Sequence, residues 1–158
     1  MPESNGSPRE VLLAVYGRTF GVAESDLGRF TVEAKGEEIW ATTAPAPARV
    51  HTRRPAGLRA IRLMPDGPKP TSAFLAALGD RVHASRVDLD FDTLRSLLLG
   101  RRVATDHPNA YVALVYEGLV LGCGRVRHSE LQALIPTGRR RELLEVLSKR
   151  EPSPDSKL

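Results

Sequence analysis

The first apolar pattern in the chain is helical. Val11, Leu12, Ala14, Val15 and Phe20 recur at helical spacing behind Ser7-Pro8-Arg9-Glu10. Ser7 can cap, Pro8 is pre-set for a first helical position and Glu10 can close a capping box, so a helix is predicted over 8–18. Residues 30–34 and 38–43 flank Lys35-Gly36-Glu37 and predict a β-hairpin. Pro45, Pro47 and Pro55, interspersed with Arg49, Arg53 and Arg54, mark 44–56 as a connector. It separates an N-terminal helix-plus-hairpin element, 1–50, from a main domain, 57–150. Residues 57–64 read as a half-buried strand only if their alternation slips once, because Leu58 and Ala60 share one parity and Ile61 and Leu63 the other.

Residues 65–70, with three prolines, read as a rigid loop. Thr71 or Ser72 then caps a helix over 73–78 that Gly79 ends. A short strand is expected at 87–89. Asp90 caps a helix over 91–99 whose Phe91, Leu94, Leu97 and Leu98 share a face, with Gly100 as the stop. Residues 111–116 and 119–126, joined by Glu117-Gly118, form the strongest hairpin signal in the chain. Gly122 and Gly124, two apart in its second strand, permit a bend or a close backbone approach. A strand at 131–135 follows. Thr137-Gly138 then leads into a basic amphipathic helix over 139–149, and 151–158 has the composition of a disordered tail. Short strands, tight turns and two buried helices imply an α+β fold, a small mixed barrel with flanking helices.

Charge narrows the partners. The 158 residues hold 23 Lys plus Arg against 19 Asp plus Glu, and only Lys35, Lys69, Lys149 and Lys157 are lysines. Residues 1–50 carry 5 basic and 7 acidic groups, whereas 51–158 carry 18 and 12. An arginine-biased surface on the later part favours a polyanion, since guanidinium forks match phosphate oxygens, although a merely solvated charged face fits the net charge equally well. Cys123 is the single cysteine, which rules out an intramolecular disulfide and a cysteine zinc cluster and suits a cytoplasmic setting. No apolar run approaches a membrane span and no signal-peptide pattern opens the chain.

Candidate chemistry is sparse. His51, His83, His107 and His128 have neither a nucleophile signature nor zinc spacing, and Gly122-Cys-Gly124 lacks the third glycine of a dinucleotide loop. No catalytic residue, metal or cofactor is expected. What remains are basic residues beside glycine-containing strands: Arg59, Arg62, Lys69, Arg101, Arg102, Arg125, Arg127, Arg139 and Arg140. Convergence of several on one face would let them contact phosphates while exposed backbone at Gly122 and Gly124 enters a groove. Aromatic residues, at 5% of the chain, are a thin basis for a stacking platform, which favours shape recognition of folded RNA.

Gly57-Leu-Arg, Lys69-Pro-Thr-Ser-Ala, Val87-Asp-Leu, Leu97-Leu-Leu-Gly-Arg, Tyr111-Val-Ala-Leu-Val-Tyr-Glu-Gly118, Leu121-Gly-Cys-Gly124, Leu131 and Ile135-Pro136 with Arg139 to Arg141 together resemble the PUA-like RNA-binding domain at the C-terminus of Nop/Sun-family RNA cytosine-5 methyltransferases. The resemblance covers about residues 57–141. Phe20-Gly-Val through Ile39-Trp40 is similar, more weakly, to the segment preceding that domain in archaeal-type members. The sequence departs from the family at Gln132-Ala133, where Lys-Asn is usual, and at Thr137, where Lys is usual. The resemblance implies a compact β-barrel with flanking helices that holds structured RNA, ribosomal or transfer, as an accessory to an RNA-modifying enzyme or in ribosome biogenesis. The methyltransferases need a cofactor-binding domain and two motif cysteines that this chain does not carry, so a non-catalytic module is expected.

Two other classes stay open. Residues 111–126 with Gly138-Arg-Arg-Arg also resemble an acetyl-CoA-dependent N-acyltransferase, the arginine run imitating a pyrophosphate loop before a helix. A protein-interaction adaptor would show an exposed apolar patch around Ile39 and Trp40.

Overall fold

The computed structural model describes residues 6–43 and 57–150; the connector at 44–56 and the tail at 151–158 lie outside the described residues. The first helix, α1 (Pro8–Leu12), opens with the expected capping box: Glu10 N–H donates to Ser7 Oγ at 3.1 Å and Ser7 N–H donates to Glu10 Oε1 at 2.8 Å. It widens without a break into π-helical turns over Leu13–Thr19. A single turn, α2 (Glu24–Leu27), leads into the hairpin of β1 (Thr31–Lys35) and β2 (Glu38–Thr42).

The strand on the far side of the connector, β3 (Leu58–Met64), pairs antiparallel with β2, and β4 (Gly67–Pro70) pairs with β3. These four make one sheet, β1-β2-β3-β4, so the segments flanking the connector share a sheet. The stretch read as a rigid loop is therefore partly strand. Pro68 and Pro70 are tolerated because β4 is an edge strand: two residues apart, their missing N–H groups fall on one side of it, and that side needs no partner.

The slip in β3 is a β-bulge. Ile39 pairs with Ile61 and Trp40 with Arg59, which leaves Ala60 with no partner on β2. Its carbonyl is taken up from the N-terminal helix instead, where the Tyr16 hydroxyl donates to Ala60 O at 2.5 Å and accepts from Thr71 N–H at 3.1 Å. Thr71 caps α3 (Ser72–Leu78), accepting from Phe74 N–H at 3.2 Å, and its hydroxyl donates to Arg59 O at 2.7 Å.

The second sheet follows the order β5-β7-β8-β9-β6, from β5 (Arg86–Asp88), β6 (Val103–Ala104), β7 (Ala110–Tyr116), β8 (Leu119–Arg127) and β9 (Glu130–Ala133). Only β5–β7 is parallel. The two-residue β6 has no apolar alternation to announce it and exists through its pairing with β9. Between β5 and β6 lies α4 (Phe91–Leu98), capped by Asp90, whose carboxylate accepts from Thr93 N–H at 2.8 Å. The chain then ends its described part in α5 (Thr137–Lys149).

The five-stranded sheet is the middle layer. On one side Ala113, Val115 and Cys123 join Tyr16, Phe20, Ile39, Ile61, Phe74 and Leu75 in a core shared with the first sheet, α1 and α3. On the other, Val112, Leu114, Val126 and Leu131 pack against Leu94, Leu97, Leu98 and Leu147 of α4 and α5. Each face of the hairpin β7–β8 thus buries alternate residues, which is why both strands are apolar almost throughout. The fold is α+β, its strands divided between two sheets.

Candidate nucleic-acid interface

The bulge at Ala60 determines which charged side chains meet. Arg59 and Arg62 are three apart, so plain alternation would point them to opposite faces of the sheet. The extra residue brings both to the solvent side: Arg59 lies opposite Trp40 and Arg62 opposite Glu38, and Glu38 and Trp40 share a face of β2. Lys69 lies opposite Arg62 on β4. The other face holds Ile39, Ala41 and Ile61, all buried.

These side chains line a cleft of about 560 Å³ between β3 and the approach to α5, with Trp40, Arg59, Arg62 and Lys69 on one side and Leu134 and Pro136 on the other. Arg59 Nη1 donates to Glu38 Oε2 at 2.7 Å and holds that carboxyl below the usual carboxylate range. The Trp40 indole N–H contributes a little to the same depression, yet it is buried and short of hydrogen-bond geometry.

A second, smaller cleft of about 190 Å³ is lined by Arg102, Arg125, Arg127, His128, Glu130 and Gln132. Arg125 sits 5.1 Å from the centre of the Tyr111 ring, its cross-strand neighbour, and reaches Asp66 of the β3–β4 turn at 3.4 Å. Arg102 approaches Glu130 at 4.0 Å. The clefts adjoin, because Gln132 of one and Leu134 of the other are two residues apart on the same side of the chain. Arg62, Lys69 and Arg127 form no ion pair among the described residues.

Of the nine basic residues expected from the sequence, six thus line these two adjoining clefts. Arg101 is exposed beyond the end of α4. Arg139 pairs with Glu142 at 3.2 Å. Arg140 is half-buried and closes the end of α4, donating to Leu98 O at 3.4 Å and to Thr137 Oγ1 at 3.2 Å, a structural task that keeps it from a ligand.

Other expectations are corrected. The backbone at Gly122 and Gly124 is buried: a Cβ on Gly122 would lie 2.7 Å from Ile135 Cγ1 and one on Gly124 2.7 Å from Leu114 Cδ2. These glycines admit neighbouring side chains, and no outside groove reaches them. Of the pair around which an adaptor patch was expected, Ile39 is 1% exposed and faces the core, and only Trp40 reaches the surface, in the larger cleft. Gly138 to Arg141 form the first turns of α5 itself, where the acyltransferase reading required a loop ahead of the helix. Among the cleft residues missing from the sequence-based set, Trp40 is the aromatic one, and its signal was local: in Glu38-Ile-Trp-Ala-Thr42 it alternates with Ile39 and Ala41 and so belongs to the polar face.

Among the described residues no group of three or more His, Cys, Asp or Glu is placed to hold a metal ion, and no helix is long and apolar enough to cross a membrane. No protein-family model matches the chain, and no curated protein does.

Proposed function

We propose that the protein is a non-catalytic RNA-binding module of PUA-like type, recognising structured ribosomal or transfer RNA and working beside an RNA-modifying enzyme or in ribosome biogenesis. The observation that carries this reading is the bulge-enforced gathering of Arg59, Arg62 and Lys69 on one face, continuous with Arg102, Arg125 and Arg127. Cations collected on one surface act together on a phosphate backbone, whereas the same residues scattered would be solvated singly. Arg62, Lys69 and Arg127, which form no ion pair within 4.0 Å among the described residues although Glu38 and Glu130 face Arg62 and Arg127 across their strands, are the main phosphate contacts. Arg59 and Arg125, each already paired, orient the surface.

The test is a titration with transfer RNA and ribosomal RNA fragments at two salt concentrations, for the native chain and for Arg62→Glu/Lys69→Glu/Arg127→Glu. Loss of three phosphate contacts lowers the magnitude of the log–log salt slope by about 2–3 and weakens binding by more than about tenfold at moderate salt. Arg150→Glu, at the other end of α5 from Pro136 and outside the lining of both clefts, leaves both quantities nearly unchanged. Binding no stronger than that of an unrelated protein of equal charge would overturn the proposal.

A further inference from the structure

We infer that the protein pairs with a second copy of itself through α5 and the β7–β8 turn, in a two-fold arrangement centred on Val146. None of the residues involved lines either cleft, so the inference is independent of the RNA-binding reading.

Leu119 and Val146 are the two most exposed large apolar side chains among the described residues, at 61% and 51%. They are distant in the chain but share one end of the molecule. Arg150 reaches Glu117 at 3.6 Å, which ties the end of α5 to the β7–β8 turn. Val146 lies one helical turn before Arg150 on the same side of α5. Leu119 is paired with Tyr116, so their side chains share a face of the sheet, and Tyr116 packs against the core beneath α4 and α5. Leu119 therefore stands on the α5 side, beside the turn that Arg150 reaches. Leu143, half-buried and one turn before Val146, extends the apolar strip along the helix.

The charges around Val146 select the occupant. Glu142 lies one turn before it and Arg150 one turn after, on the same stripe of α5. A second copy laid antiparallel, Val146 against Val146, brings Glu142 of each chain to Arg150 of the other. The stripe is thus complementary to itself under a two-fold axis, whereas a parallel copy would set like charges together. Within the chain these two residues make only exposed ion pairs, Arg139–Glu142 at 3.2 Å and Arg150–Glu117 at 3.6 Å, which are weak enough to be shared. The 13 residues of α5 span about 20 Å. The contact is therefore smaller than the roughly 800 Å² a side of a lasting complex, and the dimer forms and dissociates with concentration.

Sedimentation velocity from about 1 µM to about 1 mM protein tests this. The weight-average mass is expected to rise from one chain towards two. Val146→Lys places two like charges on the axis and is expected to keep the protein monomeric throughout. Glu142→Arg and Arg150→Glu each set like charges together twice, and each is expected to weaken association at least about tenfold. Mixed in equal amounts, these two variants regain it, because both contacts between the unlike chains are again attractive. Unchanged melting temperatures show that the substitutions, all at exposed positions, act on association alone.

A single-chain mass at every concentration would overturn the inference and leave the patch to another occupant. Association that persists in Val146→Lys would place the contact on a different surface and overturn it as well. A mixture of the two charge variants that associates no better than either alone would refute the antiparallel arrangement, and the inference with it.

Discussion

Tyr16→Phe tests the link between the buried core and the charged face. The Tyr16 side chain is fully buried, and burial pushes its hydroxyl well above the ordinary phenol value, so it stays a neutral donor at any working pH. It donates to the carbonyl of the bulged Ala60 and accepts from Thr71 N–H. Phenylalanine keeps the ring, which stands edge-on to Phe74 at 4.8 Å and stacks on Phe20 at 5.7 Å, but strands a carbonyl on a residue that is 0% exposed. Two hydrogen bonds at about 1 kcal/mol each, with a further penalty for the unpaired Ala60 carbonyl, give an expected loss of about 2–4 kcal/mol. For a chain of this size that lowers the melting temperature by about 5–15 °C. Urea unfolding followed by Trp40 emission and by circular dichroism measures it, with an unchanged m-value expected because the exposed area is the same. A loss below about 0.5 kcal/mol would refute the reasoning, since it would mean that strand pairing alone fixes the bulge. RNA affinity, measured well below the variant's midpoint, is expected to fall as well, because a relaxed bulge no longer presents Arg59 and Arg62 together.

Two glycines give opposite signs. Gly124→Ala puts a methyl 2.7 Å from Leu114 Cδ2 and 3.2 Å from Gln132 O, an overpacking expected to cost about 1–3 kcal/mol, whereas Gly138→Ala, in the first turn of α5 with nothing within 4 Å, is expected to stabilise by about 0.5–1 kcal/mol; chemical denaturation of both variants checks the contrast. Burial pushes the Cys123 thiol up to about 12, so the thiolate is scarce at every pH where the protein is handled, and iodoacetamide at pH 8 should label it only as fast as the chain unfolds. Rapid native labelling would contradict the packing of β8 against the core.

Much of the local structure was legible from short-range chemistry. Ser7 with Glu10, Thr71 and Asp90 are side chains whose hydrogen bonds close within three residues, so the starts of α1, α3 and α4 follow from the sequence alone. The hairpin β7–β8 follows likewise from two apolar runs around Glu117-Gly118, a turn whose residues both take positive φ. The count and clustering of arginines were also open to reading, and they indicate a polyanion partner without saying where it sits.

What only the tertiary structure decided depends on partners distant in the chain. Residues 67–70 become a strand because β3 offers an edge, and Val103–Ala104 because β9 does; neither run has a preference of its own to declare it. The alternation of β3 requires one slip, but its position between Arg59 and Ile61 is set by β2 across the connector and by a hydroxyl 44 residues upstream. That single register shift puts Arg59, Arg62, Lys69 and Trp40 on one face. Side-chain direction reverses with each residue of register, so composition can supply the charges of an interface while only strand pairing gathers them.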